Sequence, residues 1–161
     1  MVRSYRAPQI AARVQPGQFV EAALPPAAQT FLRRPFAVFD ADPKAGTISL
    51  MIQEAGAGTR WLVAHPEAEL DFLGPLGQPW RLPEKPAEAL LIGGGVGAAP
   101  LLLLARALPD CQVVLGAQNL DQLVARAYFG EGANTHYCTD DGSFAHHGFV
   151  TDLSADLIAQ G

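Results

Sequence analysis

The chain has 161 residues, 49% of them apolar, and a formal net charge of −5. That length holds one large domain or two small ones, with enough apolar material for a sizeable core. The mildly acidic balance lacks a basic stripe and so excludes non-specific nucleic-acid binding, which needs clustered Lys and Arg to displace counterions.

The N-terminal segment Met1–Gln9 has no apolar stretch of the signal-peptide kind. The longest apolar run, Ala98–Ala105, is too short to span a bilayer. The expectation is a cytoplasmic protein that binds neither nucleic acid nor membrane. Cys111 and Cys138 show no metal-site or redox spacing, and read as two reduced core thiols.

Up to Lys85 and Pro86 the chain is rich in prolines and short β-like runs. Strands are expected over Gln18–Leu24, Pro35–Asp40, Thr47–Gln53 and Glu69–Leu73, each bounded by Pro/Gly turn signals. A short helix is expected over Gly58–Ala64. Short strands at this spacing predict a small antiparallel barrel. Beyond Pro86 the pattern alternates. Ala89–Ile92 reads as a strand buried on both faces. A helix is expected from Ala98 to Ala107, a strand over Gln112–Leu115, a helix over Gln118–Phe129, a strand over Asn134–Cys138 and a helix over Thr151–Ala159. This order predicts a parallel sheet flanked by helices. The expected domains are residues 1–86 and 87–161.

The strongest local motif runs from Leu91 to Pro100. Gly93, Gly94, Gly95 and Gly97 form a turn between a buried strand and a helix, where a backbone can approach a pyrophosphate. The spacing is not GxGxxG, and no Lys-Ser/Thr follows, so a P-loop is excluded. Arg33-Arg34 before Pro35-Phe36-Ala37-Val38 offers a guanidinium for phosphate and a strand edge for a planar ring. The same residues also read as two solvated arginines before an edge proline. Gly56–Arg60 reads as a phosphate-holding helix start or as a flexible loop. Gly74-Pro75-Leu76-Gly77 reads as a turn closing the barrel. Thr139-Asp140-Asp141-Gly142-Ser143 follows the third parallel strand, beyond whose carboxyl end ligands bind. The adjacent His146 and His147 point opposite ways on an extended segment, and are assigned to a solvated loop rather than to a metal.

Taken in order, Arg34–Ala37, Gly56–Thr59, Gly74–Gly77, Gly93–Pro100 and Thr139–Ser143 resemble the ferredoxin-reductase superfamily. The likeness is greatest to the electron-transfer subunits of NAD-dependent dihydroorotate dehydrogenases, from about Pro16 to Asp152. The resemblance implies an FAD-binding barrel followed by an α/β domain for NAD(H) or NADP(H). It implies that Arg34, Pro35, Phe36 and Ala37 line the flavin and that Gly58 and Thr59 hold its pyrophosphate. Met51, Ile52 and Gln53 match a flavin-contacting stretch. Gly93, Gly94, Gly95, Val96, Gly97 and Pro100 fall on the nicotinamide-nucleotide side, with Thr139, Asp140, Asp141 and Gly142. No catalytic acid or base is expected. The implied partner is a catalytic dehydrogenase subunit in a hetero-oligomer of pyrimidine biosynthesis, reached through FAD and a [2Fe–2S] cluster.

The chain departs from the family at three places. Ala37 stands where the family usually has Ser, and Ile52-Gln53 where it often has Tyr-Arg. The Cys-Gly-Pro element and the cluster of four cysteines are absent, so the family's [2Fe–2S] scheme cannot be met here. Tyr5–Pro8 resembles the end of the family's first barrel strand, so the chain reads as truncated at both ends. Other superfamily subunits share these motifs: sulfide dehydrogenase, ferredoxin–NADP reductase and hydrogenase-associated flavin subunits. A non-catalytic remnant with empty nucleotide sites is the remaining reading.

Overall fold

The computed structural model describes residues 1–132 and 134–160, the last of these by its backbone alone. The chain divides after Trp80 into two units.

The first unit is built from β1 (Val2–Arg6), a one-turn helix α1 (Pro8–Ala11), β2 (Phe19–Ala23), β3 (Arg34–Asp42), β4 (Thr47–Met51), helix α2 (Ala57–Ala64) and β5 (Asp71–Leu76). Its five-stranded antiparallel sheet has the order β1-β4-β3-β2-β5. Alternation sets the inward face. Val20 and Ala22 on β2, and Ile48 and Leu50 on β4, are fully buried, the period-2 signature of a strand with one core face. Phe39, Ile52 and Leu62 complete this core. The sheet curls until its edge strands meet, with Tyr5 of β1 packing edge-to-face on Phe72 of β5 at 5.3 Å between ring centroids.

Strand β1 also anchors α2. The Arg3 guanidinium donates to the carbonyls of Leu62, Val63 (2.9 Å) and His65 (3.0 Å), the unpaired acceptors at that helix's C-terminus. The expected turn at Gly74–Gly77 is instead largely strand, since β5 runs on through the cis Gly74–Pro75 bond to Leu76. A Cβ on Gly74 would meet Val20 Cγ1 at 2.7 Å, so glycine allows β5 to lie close on β2. The turn proper is left to Gly77, at φ +83°.

The second unit holds β6 (Leu90–Gly94), a 3₁₀ turn (Gly95–Ala98), α3 (Leu101–Ala107), β7 (Gln112–Ala117), α4 (Arg126–Phe129), β8 (Thr135–Thr139), β9 (His146–His147) and α5 (Val150–Gln160). Its parallel sheet has the order β6-β7-β8-β9. The strand covered on both faces is β7, whose Val113–Ala117 are all buried. The expectation had placed this feature on Ala89–Ile92. That segment, β6, is an edge strand of the described sheet and leaves Ile92 44% exposed.

Three further expectations change. The single helix predicted over Gln118–Phe129 is broken into a 3₁₀ turn (Leu120–Gln122) and the short α4. The Asn119 side chain accepts from the Gln122 N–H, closing the turn early, and Leu123 takes a non-helical ψ of 48°. The helix predicted from Ala98 begins as α-helix only at Leu101, after the glycine turn; Pro100 sits at its N-cap, where its missing N–H costs no hydrogen bond. His146–His147, assigned to a loop, pairs with Cys138–Thr139 as β9. The hydroxyl of Thr139 fixes this excursion by donating to the Phe144 carbonyl (3.0 Å) and accepting from its N–H (2.9 Å). No helix among the described residues is long and apolar enough to cross a membrane.

Candidate functional site

In the first unit the residues expected to meet a flavin fall into two groups. The first lies where the β3–β4 ladder stops. Val38 pairs with Leu50, and continuing that register would set Ala37 opposite Met51 and Phe36 opposite Ile52, yet no pair forms there. Residues Arg34–Ala37 pair only with β2, so their other backbone edge is open at the place where Met51–Gln53 arrive. Met51 and Ile52 themselves are core residues, 7% and 1% exposed. The Ile52 N–H donates to the Met1 carbonyl at 2.8 Å, and the Met1 ammonium donates to the Ile52 carbonyl at 3.0 Å. Of this triplet only Gln53 is exposed.

The second group surrounds the start of α2. The Thr59 hydroxyl accepts from the N–H groups of Ala55 (2.9 Å) and Gly56 (3.0 Å) and donates to the Gly56 carbonyl. It is thereby spent on capping the helix, while the N–H groups of Ala57, Gly58 and Thr59 lack helical partners. Gly58 is buried. A Cβ placed on it would meet Thr30 Cγ2 at 2.9 Å and Leu24 Cδ2 at 3.2 Å, and would lie 3.8 Å from Arg34 Nε. Arg34 therefore reaches the first turn of α2.

The two neighbouring arginines have different surroundings. Arg33 donates to the Asp71 carboxylate and to the carbonyls of Asp71 (2.9 Å) and Glu21 (3.4 Å). The Arg34 guanidinium makes no hydrogen bond or ion pair among the described residues. An unpaired guanidinium beside three free N–H groups and a glycine is the chemistry that receives a diphosphate. The residues present fit the phosphate part of FAD, and the open β3 edge fits its ring.

In the second unit the carboxyl end of the parallel sheet carries three loops. Gly94 at the end of β6 and Gly95, Val96 and Gly97 after it are exposed, while Gly93 beneath them is buried. The exposed element at this point is the glycine turn, not α3. The loops after β7 and β8 are tied together. Asp140 and Asp141 donate backbone N–H bonds to Ala117 and Gln118, and Ser143 Oγ accepts from the Leu120 N–H at 2.9 Å. Thr139 is wholly buried and Gly142 holds a left-handed turn at φ +72°, which leaves Asp140, Asp141 and Ser143 as the exposed side chains of this motif.

The Ser143 hydroxyl and then its N–H hold the Asp141 carboxyl below the ordinary aspartate range. A group depressed in the folded state stabilises the fold above its unfolded midpoint, near ~3.9, and that contribution is lost as pH falls through the lower folded value. In a carbon-13 NMR titration, the Asp141 carboxyl is expected to titrate lower in the native chain than in Ser143→Ala. Equal midpoints would remove the Ser143 hydroxyl as the cause.

The sequence reading did not single out Thr30, Arg3 or the Leu120–Ser143 link. Each acts across a long stretch of chain, and no local pattern marks it. Among the described residues, no group of three or more His, Cys, Asp or Glu side chains could hold a metal ion. Cys111 and Cys138 are both free and buried.

No family model matches the chain. It is 37% identical over 146 residues to the electron transfer subunit of dihydroorotate dehydrogenase B (NAD(+)) from Shouchella clausii, covering 86% of this chain and 56% of that relative. The subunit of the same name from Geobacillus kaustophilus is 39% identical over 146 residues, covering 86% and 57%. The chain thus spans little more than half the length of these curated relatives. Among solved structures, an NADH-dependent reduced ferredoxin–NADP oxidoreductase, studied for flavin-based electron bifurcation, superposes with a TM-score of 0.86 at 31% identity, covering 99% of this chain and 59% of that one. A ferredoxin–NADP⁺ reductase from Neisseria gonorrhoeae with bound FAD and NADP shares the fold, with a TM-score of 0.67 at 15% identity over 99% of this chain and 71% of that one. An antiparallel flavin-type barrel followed by a parallel nucleotide-type sheet, with these relatives on both sequence and structure, makes the chain a member of the ferredoxin-reductase superfamily.

Proposed function

We propose that this chain is the nucleotide-binding part of an electron-transfer flavoprotein subunit. In this reading the first unit holds FAD and the second holds a nicotinamide nucleotide. Electrons pass on to a catalytic dehydrogenase subunit, a dihydroorotate dehydrogenase of pyrimidine biosynthesis, in a hetero-oligomer. The observation that carries the reading is the unpaired Arg34 at the start of α2, beside the buried Gly58.

The roles of this chain's residues are binding and orientation. Arg34 and the N–H groups of Ala57–Thr59 hold the diphosphate. The open edge of Arg34–Ala37 and the Gln53 side chain border the ring, with Met51 and Ile52 as the packed floor behind them. Residues Gly93–Gly97, with Pro100 ending the turn, take the pyrophosphate of the nicotinamide nucleotide. When bound, FAD would supply the redox chemistry, hydride acceptance and onward electron transfer.

The loops after β7 and β8 carry Asp121, Asp140 and Asp141, and no Lys or Arg lies within 118–122 or 139–143. That charge repels a 2′-phosphate and favours NAD(H) over NADP(H). The chain's two cysteines, both free and buried, do not make the four-thiolate set that an iron–sulfur cluster takes.

The likeness to the ferredoxin–NADP oxidoreductase supports a second reading, in which ferredoxin takes the place of the dehydrogenase as electron partner. Reduction of ferredoxin, but not of a dihydroorotate dehydrogenase subunit, by the NADH-reduced holoprotein would select it.

The test of the main reading is the visible spectrum of the purified chain with FAD, before and after anaerobic NADH. Flavin bands that NADH bleaches are expected. A chain that takes up no FAD would overturn the assignment of the first unit. Bound flavin left unbleached would overturn that of the second.

Gly97 gives a finer test. Nothing lies within 4 Å of a Cβ built on it, and its φ is not left-handed. Gly97→Ala should therefore leave the melting temperature unchanged and still weaken NADH binding, because only a ligand lies close enough to need the space. Unchanged NADH affinity would move the pyrophosphate off this turn.

A further inference from the structure

Thr30 has a place in this site that the sequence motifs do not assign. Its residue follows Gln29, which holds a left-handed φ of 52°. Its methyl group lies against Gly58 in the first turn of α2, 2.9 Å from where a Cβ would stand, on the same side as Arg34 Nε. Its hydroxyl is closed off from solvent and has no hydrogen-bond partner. A buried hydroxyl left unpaired is costly, and such a group in a native protein calls for a partner. One 120° step about Cα–Cβ carries the hydroxyl into the place the methyl holds and the methyl into that of the Cβ hydrogen, which puts the Oγ1 donor at the helix start.

Three kinds of unpaired donor then converge on one place: the Arg34 guanidinium, the N–H groups of Ala57–Thr59 and the Thr30 hydroxyl. All are donors and no carboxylate is among them, so the ligand atom they suit is a phosphate oxygen.

We propose that Thr30 is a phosphate-binding residue of this chain, its hydroxyl donating to the diphosphate that Arg34 and the start of α2 hold. This rests on the FAD reading of the first unit.

The test uses the whole chain and two substitutions. Thr30→Val keeps the shape and the methyl but removes the donor; Thr30→Ser keeps the donor. FAD affinity, read by quenching of flavin fluorescence, should fall about tenfold in Thr30→Val and return close to the native value in Thr30→Ser. The melting temperature of the flavin-free Thr30→Val protein should equal or exceed that of the native chain, because the substitution removes an unpaired buried hydroxyl. A hydroxyl serving only the fold gives the reverse pattern, with a lower flavin-free melting temperature and unchanged FAD affinity, and that result would overturn the proposal. Native FAD affinity in a normally folded Thr30→Val protein would overturn it too, while leaving the FAD reading intact. If the native chain itself takes up no FAD, both fall together.

Discussion

Arg34→Ala is expected to weaken FAD binding roughly ten- to a hundredfold, equivalent to ~1.5–3 kcal/mol for a charge-assisted phosphate contact. The size follows from the surroundings of the guanidinium. It has no protein partner to lose, and a Cβ on Gly58 would stand only 3.8 Å from its Nε. Removing it therefore takes away a ligand contact without opening a hole in an ion-pair network, and the flavin-free protein should melt where the native chain does. Lysine restores charge but not the planar fork, so Arg34→Lys should recover only part of the affinity.

Arg33 is the control. Its guanidinium ties the Asp71 carboxylate and the carbonyls of Asp71 and Glu21 together. With the Asp71 side chain 73% exposed, this pair is worth ~0.2–1 kcal/mol at most. Arg33→Ala should lower the melting temperature slightly and leave FAD affinity within about twofold of native. Equal losses of affinity in both variants would mean that general positive charge, not the placement of Arg34, binds the flavin.

Gly93→Ala is expected to damage the second unit more than any other change in the glycine turn. An added Cβ would meet Leu101 Cδ1 at 2.7 Å, and it would meet main-chain atoms of Ala98, Cα at 2.9 Å and N at 3.1 Å. A side-chain tip can move aside, but the backbone of the 3₁₀ turn cannot do so without shifting the loop that it forms. Overpacking of this kind costs ~1–3 kcal/mol. The melting transition of the second unit should fall by several degrees, and NADH affinity should fall with it, because the displaced turn carries Gly95–Gly97. Calorimetry alongside NADH titration reads both effects. A stable Gly93→Ala chain with native NADH affinity would show that the turn accommodates the Cβ and does not meet the nucleotide. The contrast with Gly97→Ala is diagnostic, since one glycine serves the fold beneath the loop and the other leaves room above it.

How much of this was legible in the chain depends on the range of the physics involved. Strands β2 and β4 could be read because alternation is local and each buries one face. Helix α5 and the glycine turn could be read because caps, periodicity and glycine conformations act within a few residues. Segment 118–129 was misread for the same reason. Leu120, Leu123, Val124 and Ala127 satisfy helical spacing, yet Asn119 closes a tight turn and Leu123 leaves the helical region to bury its side chain. Local pattern proposed one helix, and tertiary burial chose two short turns.

By itself, then, the sequence determined a barrel-like half followed by a parallel α/β half, and the two glycine-bearing turns where phosphates are expected. Only the tertiary structure separated Arg33 from Arg34. Successive side chains on an extended segment leave on opposite sides, and which side holds Asp71 and which holds Gly58 depends on strand register and on residues far along the chain. The same holds for Thr30 and Arg3, which serve the two ends of α2 from other elements. Their contacts are set by how the sheet curls and where the helix lies against it, and no window of sequence contains both partners.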